Sequence, residues 1–270
     1  MNEANYNLEE ELHYDKRYQL EVNSITKYYN DQNRMANEGP LRASHKYWEK
    51  EVENHVNINN IRILDYGCGS GLRSLTFIKD HMEFYGIDIS SKSIEQAKLL
   101  SSKGNFTNSK WEVMDCQQTN FPNNYFDLIL DYGTFSSLDK NKAFPEICRI
   151  LKPNGTIICI ETLGHNPFTN LKRKINLARG TRTKWATQNI MKMKDWEKFS
   201  TNFQNTEIHY FGFLTIFISP FFFKSKITSV LLSILETVDS ILLQIPIMKK
   251  FAFKTVVISK NKTESNINHN

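Results

Sequence analysis

Five β-rich runs in the first two thirds of the chain each end in a carboxylate: Ile61–Asp65, Phe84–Asp88, Trp111–Asp115, Phe126–Asp131 and Thr156–Glu161. Segments with helical character, Leu72–Asp80, Ser91–Ser102 and Lys140–Leu151, lie in the gaps. Strands alternating with helices at this spacing imply βαβ units and a parallel sheet, hence an α/β fold. In an open parallel sheet, ligands bind at the carboxyl ends of the strands. A row of acids at that edge suits a ligand with hydroxyls, amines and positive charge, and suits a bare pyrophosphate poorly. Helix capping is the alternative role for any one Asp, but it does not easily explain all five.

The segments around this core extend the pattern. Leu8–Val22 and Ala43–Val56 read as helices, with a break at Asn37-Glu38-Gly39-Pro40. Residues 165–205 are basic and irregular, with a helix expected over Met193–Asn202. Glu207–Ile218 is β-rich, and Val256–Ile258 marks a last strand within Lys254–Lys260. Between them, apolar residues at 227, 230, 231, 234, 235, 238, 241 and 242 form a helical stripe over Ile227–Leu243. The expected sheet therefore has seven strands, mostly parallel, with an antiparallel last strand and a helical insertion between the last two. The expected divisions are a helical cap (1–60), a ligand-binding core (61–164), a substrate-side region (165–260) and a frayed tail (261–270).

Charge is divided along the same line. Residues 1–164 hold 18 Lys and Arg against 23 Asp and Glu, and residues 165–270 hold 16 against 6, within an overall formal charge of +5. Such asymmetry points to an anionic partner for the basic part or to a solvated basic face. The four Cys residues (68, 116, 148 and 159) show no CxxC pair and no metal spacing, so free thiols in a reducing compartment are expected and no metal site is. The N-terminus is polar and acidic, without a secretory signal pattern. The most apolar stretch, Phe211–Phe223, has 13 residues, short of the roughly 18 that a spanning helix requires. A cytoplasmic protein is expected.

Asp65-Tyr66-Gly67-Cys68-Gly69-Ser70-Gly71 follows the first run in the form D-x-G-x-G-x-G. Alternate glycines let backbone approach a ligand closely while the chain turns. A dinucleotide fingerprint needs Gly or Ala at 72, where Leu stands, and a phosphate loop needs a Gly-Lys-Ser/Thr that is absent. Asp88 lies at a strand end suited to accepting both hydroxyls of a ribose, and Asp115 is placed to accept an adenine amino group. Together these residues describe a pocket for an adenosine bearing a short zwitterionic, cationic arm.

With these residues in order, the chain resembles the class I S-adenosylmethionine (SAM)-dependent methyltransferases, in the branch related to ubiquinone and menaquinone biosynthesis. The resemblance spans about residues 40–165 and rests on Ile63–Gly71, Gly86–Ser90, Met114–Cys116, Phe121–Asn123, Tyr125–Ile129 and Arg149–Gly155. It implies a Rossmann-like methyltransferase fold and SAM as cofactor. It further implies that Asp65 and the backbone of Gly67 and Gly69 face the methionine part, with Cys68 and Gly71 in the same cofactor-binding loop, that Asp88 holds the ribose with Ile89 beside the adenine, and that Asp115 and the backbone of Cys116 read the adenine edge. Asp131 and its neighbours would line the methionine side. Cys68 is usual in that family and is not expected to be a nucleophile. Where many relatives carry a His pair after the fourth strand, this chain has Ser136 and Ser137.

Methyl transfer is an in-line displacement that demands alignment and exclusion of water. A base is needed only where the acceptor keeps its proton, and His165, just past the fifth run, is the sequence candidate. Its alternative role is to brace its loop. Tyr14, Tyr18, Tyr47 and Trp48 are candidates for an N-terminal lid. Lys172, Arg173, Lys174, Arg179, Arg182 and Lys184 cluster on the substrate side, and Lys224, Lys226, Lys249, Lys250 and Lys254 flank the apolar helix. Cations beside an apolar element suit a lipophilic or anionic amphiphilic small-molecule acceptor, or an anionic membrane surface with the protein peripheral at its inner face. Glu236 and Asp239 on that helix speak against the membrane reading. No RNA-binding module is recognisable, so nucleic acid is not the expected partner. The expected activity is methyl transfer to O, N or C of such an acceptor. The alternatives are a soluble metabolite or glycan intermediate as acceptor, or a catalytically silent SAM-binding protein.

Overall fold

A computed structural model describes residues 3–22, 39–221 and 226–263. Asn37 and Glu38 of the expected break, Phe222, Phe223 and Lys224, residues 264–270 of the tail, and the side chains of Tyr18 and Lys226 lie outside the described residues. Two helices, α1 (Glu3–Val22) and α2 (Arg42–His55), precede a seven-stranded sheet. The strands are β1 (Ile61–Tyr66), β2 (Met82–Asp88), β3 (Ser109–Val113), β4 (Phe126–Asp131), β5 (Leu151–Thr162), β6 (Phe203–Phe211) and β7 (Lys254–Lys262). Their order is β3-β2-β1-β4-β5-β7-β6. Pairs among β1 to β5 are parallel, and β7 is antiparallel to both β5 and β6. The Rossmann-like arrangement with one antiparallel strand is thus present, and β6 and β7 from the substrate-side region complete the same sheet.

The central strands bury residues on both faces, as a covered parallel sheet requires. In β1, Leu64 and Tyr66 join the apolar cluster on one face while Ile61 and Ile63 join the cluster on the other. The first cluster packs Phe144 and Ile147 of α4 (Lys140–Ile150) and Trp196 and Phe199 of α7 (Met193–Ser200). The second packs Trp48 and Val52 of α2 and Ile94 and Ala97 of α3 (Ser91–Lys103). Between β5 and α7 lie α5 (Pro167–Ala178) and α6 (Lys184–Gln188), and the insertion before β7 consists of α8 (Lys226–Leu242) and α9 (Pro246–Lys249).

Local chemistry explains where expectation and structure part. The expected helix Leu72–Asp80 is only a 3-10 turn at Ser74–Phe77, which ends where Ile78 is extended at ψ 129°, and the Ser74 hydroxyl donates to Asp65. The strand expected over Glu207–Ile218 ends at Phe211. Gly212 then takes φ +79°, and the Asp239 carboxylate accepts the N–H groups of Phe213, Leu214 and Thr215. The third strand stops at Val113, so Asp115 sits in the following loop. That loop is fixed by α4. Glu146 accepts from Thr119 N at 2.8 Å, and Arg149 donates to Phe121 O at 2.7 Å and to Asn123 Oδ1 at 2.9 Å.

Two cations counted toward a basic surface are interior. Arg173 is buried and donates to Leu163 O at 3.1 Å and Asn170 Oδ1 at 2.7 Å. Lys254 is buried within electrostatic reach of Glu161 and Asp131.

Candidate active site

A cavity of about 290 Å³ lies at the carboxyl edge of β1, β2 and β4, under α1. Asp65, Gly67, Cys68, Gly69, Asp88, Ile89, Asp115 and Cys116 all line it. Gly67 and Gly69 take positive φ (+76° and +52°). The backbone N–H of Gly69 donates to Asp88 Oδ2 at 2.9 Å, and Ser90 N donates to Oδ1 at 2.9 Å. The strand-end acid thus holds the glycine loop and the start of α3 in place. Asp115 accepts from Gln117 N at 2.8 Å and from Asn7 Nδ2 at 2.9 Å.

Three sequence candidates stand outside the cavity wall. Gly71 (φ +70°) makes room for a ring instead, since a Cβ there would lie 2.6 Å from Trp111. Asp131 is completely buried below the wall, with Oδ1 accepting from Thr134 N at 3.0 Å and Oδ2 without a partner. Its neighbours Tyr132, Gly133 and Thr134 do line the cavity. His165 is exposed in the loop after β5, and its Nε2 accepts from Met193 N at 3.0 Å. In that arrangement the neutral ring's one lone pair is committed and its other nitrogen carries the proton, so His165 presents no basic site to the cavity.

Burial governs the electrostatics. It pushes the Asp65 carboxyl up to about 7, against the Ser74 hydrogen bond and with help from the Asp88 charge. Burial likewise pushes Asp88 up to about 6, although the N–H groups of Ser90 and Gly69 oppose it. Burial and the surrounding carboxylates hold the Cys68 and Cys116 thiols well above their ordinary range, so neither is an activated nucleophile. Beneath the wall, burial and the Glu161 charge raise Asp131, while Lys254 opposes the rise. Glu161 accepts from Phe135 N at 2.5 Å and Thr162 N at 3.2 Å. The row of strand-end acids is therefore split: Asp65, Asp88 and Asp115 line the cavity, and Asp131 and Glu161 organise the loops behind it.

Helix α1 supplies what the sequence motifs do not reveal. Asp15 accepts from Ser90 Oγ at 2.5 Å and Lys92 N at 3.2 Å, and Tyr14 Oη and Ser137 Oγ are hydrogen-bonded at 3.2 Å. Tyr6 donates to Gln117 Oε1 and stacks on Trp185 at 4.1 Å. Asn7, Glu10 and Tyr14 consequently form the roof. Of the four aromatic lid candidates, Tyr14 lines the cavity. Trp48 does so from the apolar core, and Tyr47 instead bonds His209 Nε2 at 2.9 Å.

Glu10 is buried, with Oε1 accepting from the Thr183 hydroxyl and Oε2 without a hydrogen-bond partner. Burial raises its carboxyl, and the nearby Thr183 and Ser137 hydroxyls and the Arg182 charge offset part of the rise. Arg73 is the one cation among the described lining residues, held by Glu49 at 2.8 Å. Neither side chain belongs to a spaced motif. The signal available in the sequence for Glu10 was only its place in an acidic, amphipathic first helix.

These residues fit SAM. Three carboxylates face positions for hydroxyl, amino and cationic groups, and Arg73 offers a counter-charge to a carboxylate. Gly133 (φ +91°) lines the cavity, and a Cβ there would meet nothing within 4 Å. The glycine thus keeps that volume open.

Residues 58–211 match a family described as "Methyltransferase domain". A 169-residue stretch is 31% identical to the ubiquinone/menaquinone biosynthesis C-methyltransferase UbiE of Rickettsia massiliae (strain Mtu5), covering 60% of this chain and 67% of that protein. Geranyl diphosphate C-methyltransferase from Streptomyces coelicolor A3(2), solved with Mg2+, geranyl diphosphate and S-adenosyl-L-homocysteine, superposes with a TM-score of 0.56 at 13% identity, over 83% of this chain and 81% of that one. The [4+2]-cyclase SpnF superposes with a TM-score of 0.54 at 15% identity, over 82% of each chain. The two solved structures show the shared fold.

Proposed function

The chain belongs to the class I SAM-dependent methyltransferases, and on that premise we propose that it methylates a small, largely apolar acceptor carrying a hydroxyl group, with Glu10 as the base. The observation that carries this reading is the Glu10 side chain. It is a buried carboxylate in the cavity roof, with Oε1 accepting from Thr183 and the Ser137 hydroxyl close by. A carboxylate at the cavity wall, raised by burial, offers an acceptor to a donor that a ligand brings. An acceptor hydroxyl is such a donor. Leu138, Tyr14, Trp48 and Tyr132 give the same cavity apolar and aromatic walls that suit a phenol-, enol- or quinol-like molecule.

When bound, SAM supplies an electrophilic methyl group on a sulfonium. Asp88 would receive the ribose hydroxyls, Asp115 and the Cys116 backbone would receive the adenine edge, and Asp65 and Arg73 would receive the ammonium and carboxylate of the methionine part. Glu10 takes the proton that the acceptor hydroxyl releases. Deprotonated in this way, the acceptor would carry its nucleophilic electron pair on the oxygen or on the ring carbon conjugated to it. A carboxyl raised toward neutrality by burial is a stronger base than an exposed one. Helix α1 excludes water from the line of transfer.

The test is labelled SAM offered with a panel of phenols, quinols, sugars, amines and isoprenoid acids, read by mass spectrometry. A hydroxylated apolar acceptor is expected to be labelled. Glu10→Gln is expected to lower kcat about 100-fold with SAM affinity unchanged. Full turnover by Glu10→Gln, or labelling of amines alone, would overturn the assignment.

A further inference from the structure

Helix α8 is mounted with its charged side inward. Its two carboxylates are both consumed by the body of the protein. Glu236 pairs with Arg42 at 2.7 Å, and Asp239 accepts three consecutive backbone N–H groups at 2.7–3.2 Å. Leu232 and Leu243 are buried on the same side. The opposite side carries Ile227, Val230, Leu231, Ile234, Val238 and Ile241, which share one helical face, with Ile227 80% and Ile234 56% exposed. No charged residue lies among them. The two acids that speak against a membrane-facing helix in the sequence are therefore not on its outer surface.

The neighbouring elements repeat this pattern. On α5, Phe168, Leu171 and Ile175 are exposed at helical spacing while Thr169 and Arg173 are buried. The Phe168 ring meets Phe217 at 5.0 Å, and Phe217 lies in the 3-10 turn (Thr215–Phe221) that Asp239 anchors to α8. Ile245, the N-cap of α9, and Ile247 within it are exposed. No described residue covers these side chains. Lys172, Lys174, Arg179 and Lys250 are exposed on the same elements or at their ends, and the only acids on α5, α8 and α9 are the two that point inward.

We propose that the outer faces of α8, α5 and α9 form a docking surface for an anionic lipid bilayer. An uncharged apolar helix face rimmed by cations meets the two demands of such a surface, insertion below the headgroups and attraction to anionic lipid. A second copy of the chain satisfies the apolar demand but sets the cations of both copies against each other, which costs association energy. Thr183, whose hydroxyl donates to Glu10, comes soon after α5 in the chain.

The experiment is flotation of the full chain with vesicles of phosphatidylcholine alone and of phosphatidylcholine mixed with phosphatidylglycerol. The protein is expected to float with the mixed vesicles, far less with the neutral ones, and less again at high salt. Val230→Glu with Ile234→Glu is expected to abolish flotation while SAM affinity stays unchanged, which shows that the variant is folded. Lys172→Ala with Lys174→Ala is expected to weaken partitioning about thirtyfold, roughly fivefold for each lysine. Absence of flotation with either vesicle overturns the proposal. So does a concentration-dependent dimer in sedimentation that the Glu pair dissociates without any vesicle binding, which would assign the face to self-association. The proposal stands apart from the acceptor assignment, because flotation is measured without turnover.

Discussion

SAM affinity should depend steeply on pH, through Asp65 and Asp88. Burial places the first carboxyl at about 7 and the second at about 6 before any ligand arrives. In the proposed binding mode, an ammonium beside Asp65 and ribose hydroxyls on Asp88 both require the ionised form. From about pH 7.5 to about pH 5.5 the ionised fraction falls about 25-fold at the first site and about fourfold at the second. If both must ionise, affinity falls about 100-fold, or about 3 kcal/mol. Affinity rises with pH and binding releases protons. Calorimetry in buffers of different ionisation enthalpy measures both. Asp65→Asn should remove the steeper part and leave the fourfold dependence of Asp88. A dissociation constant that is flat within about twofold over this range, with no proton release, would refute the reasoning. The same burial has a consequence for the ligand-free fold. Because the Asp65 pKa is raised from 3.8 to about 7, the folded state holds the proton more tightly than the unfolded chain. That contribution is complete below the unfolded value and is lost as pH rises through the folded one, by up to roughly 4 kcal/mol. SAM binding should therefore raise the melting temperature more at pH 8 than at pH 6.

The two positive-φ glycines at 71 and 133 should separate stability from binding. Gly71→Ala drives a Cβ to 2.6 Å from Trp111 and should cost about 2–3 kcal/mol in urea unfolding, whereas Gly133→Ala meets no protein atom and should cost only about 1 kcal/mol of backbone strain yet lower SAM affinity more than about tenfold. Equal effects of the two on stability would show that the Gly133 side of the cavity is not open space. His165→Ala should leave turnover within about twofold, since its Nε2 is occupied by Met193 N and the ring lies outside the cavity. A large fall in kcat with unchanged SAM affinity would restore it as the base.

The alternation of β and helical segments, the glycine loop after β1 and the acid at the end of β2 were legible in the sequence because each is a local pattern. Side-chain period, the φ tolerance of Gly and motif spacing do not depend on what packs above them. The helix expected at Leu72–Asp80 was misjudged for the opposite reason. The segment buries Phe77 and Ile78 in the core and ties Ser74 to Asp65, nine residues away, and these tertiary contacts override a weak local propensity.

Which carboxylates face the ligand was a tertiary decision. Asp65, Asp131 and Glu161 look alike as strand ends, yet only the first lines the cavity. The cavity's roof comes from Glu10, paired with Thr183 across 173 positions of sequence. The hydrophobic pattern of α8 likewise gave the helix but not its orientation. Periodicity defines two faces and carries no sign, and only the Arg42–Glu236 pair and the Asp239 anchor turn the charged face inward. The sequence by itself determined the order of elements and the cofactor loop. Desolvation, which sets the pKa of each acid and the face each helix shows to water, is a property of neighbours brought together from distant parts of the chain, and only the folded structure contains it.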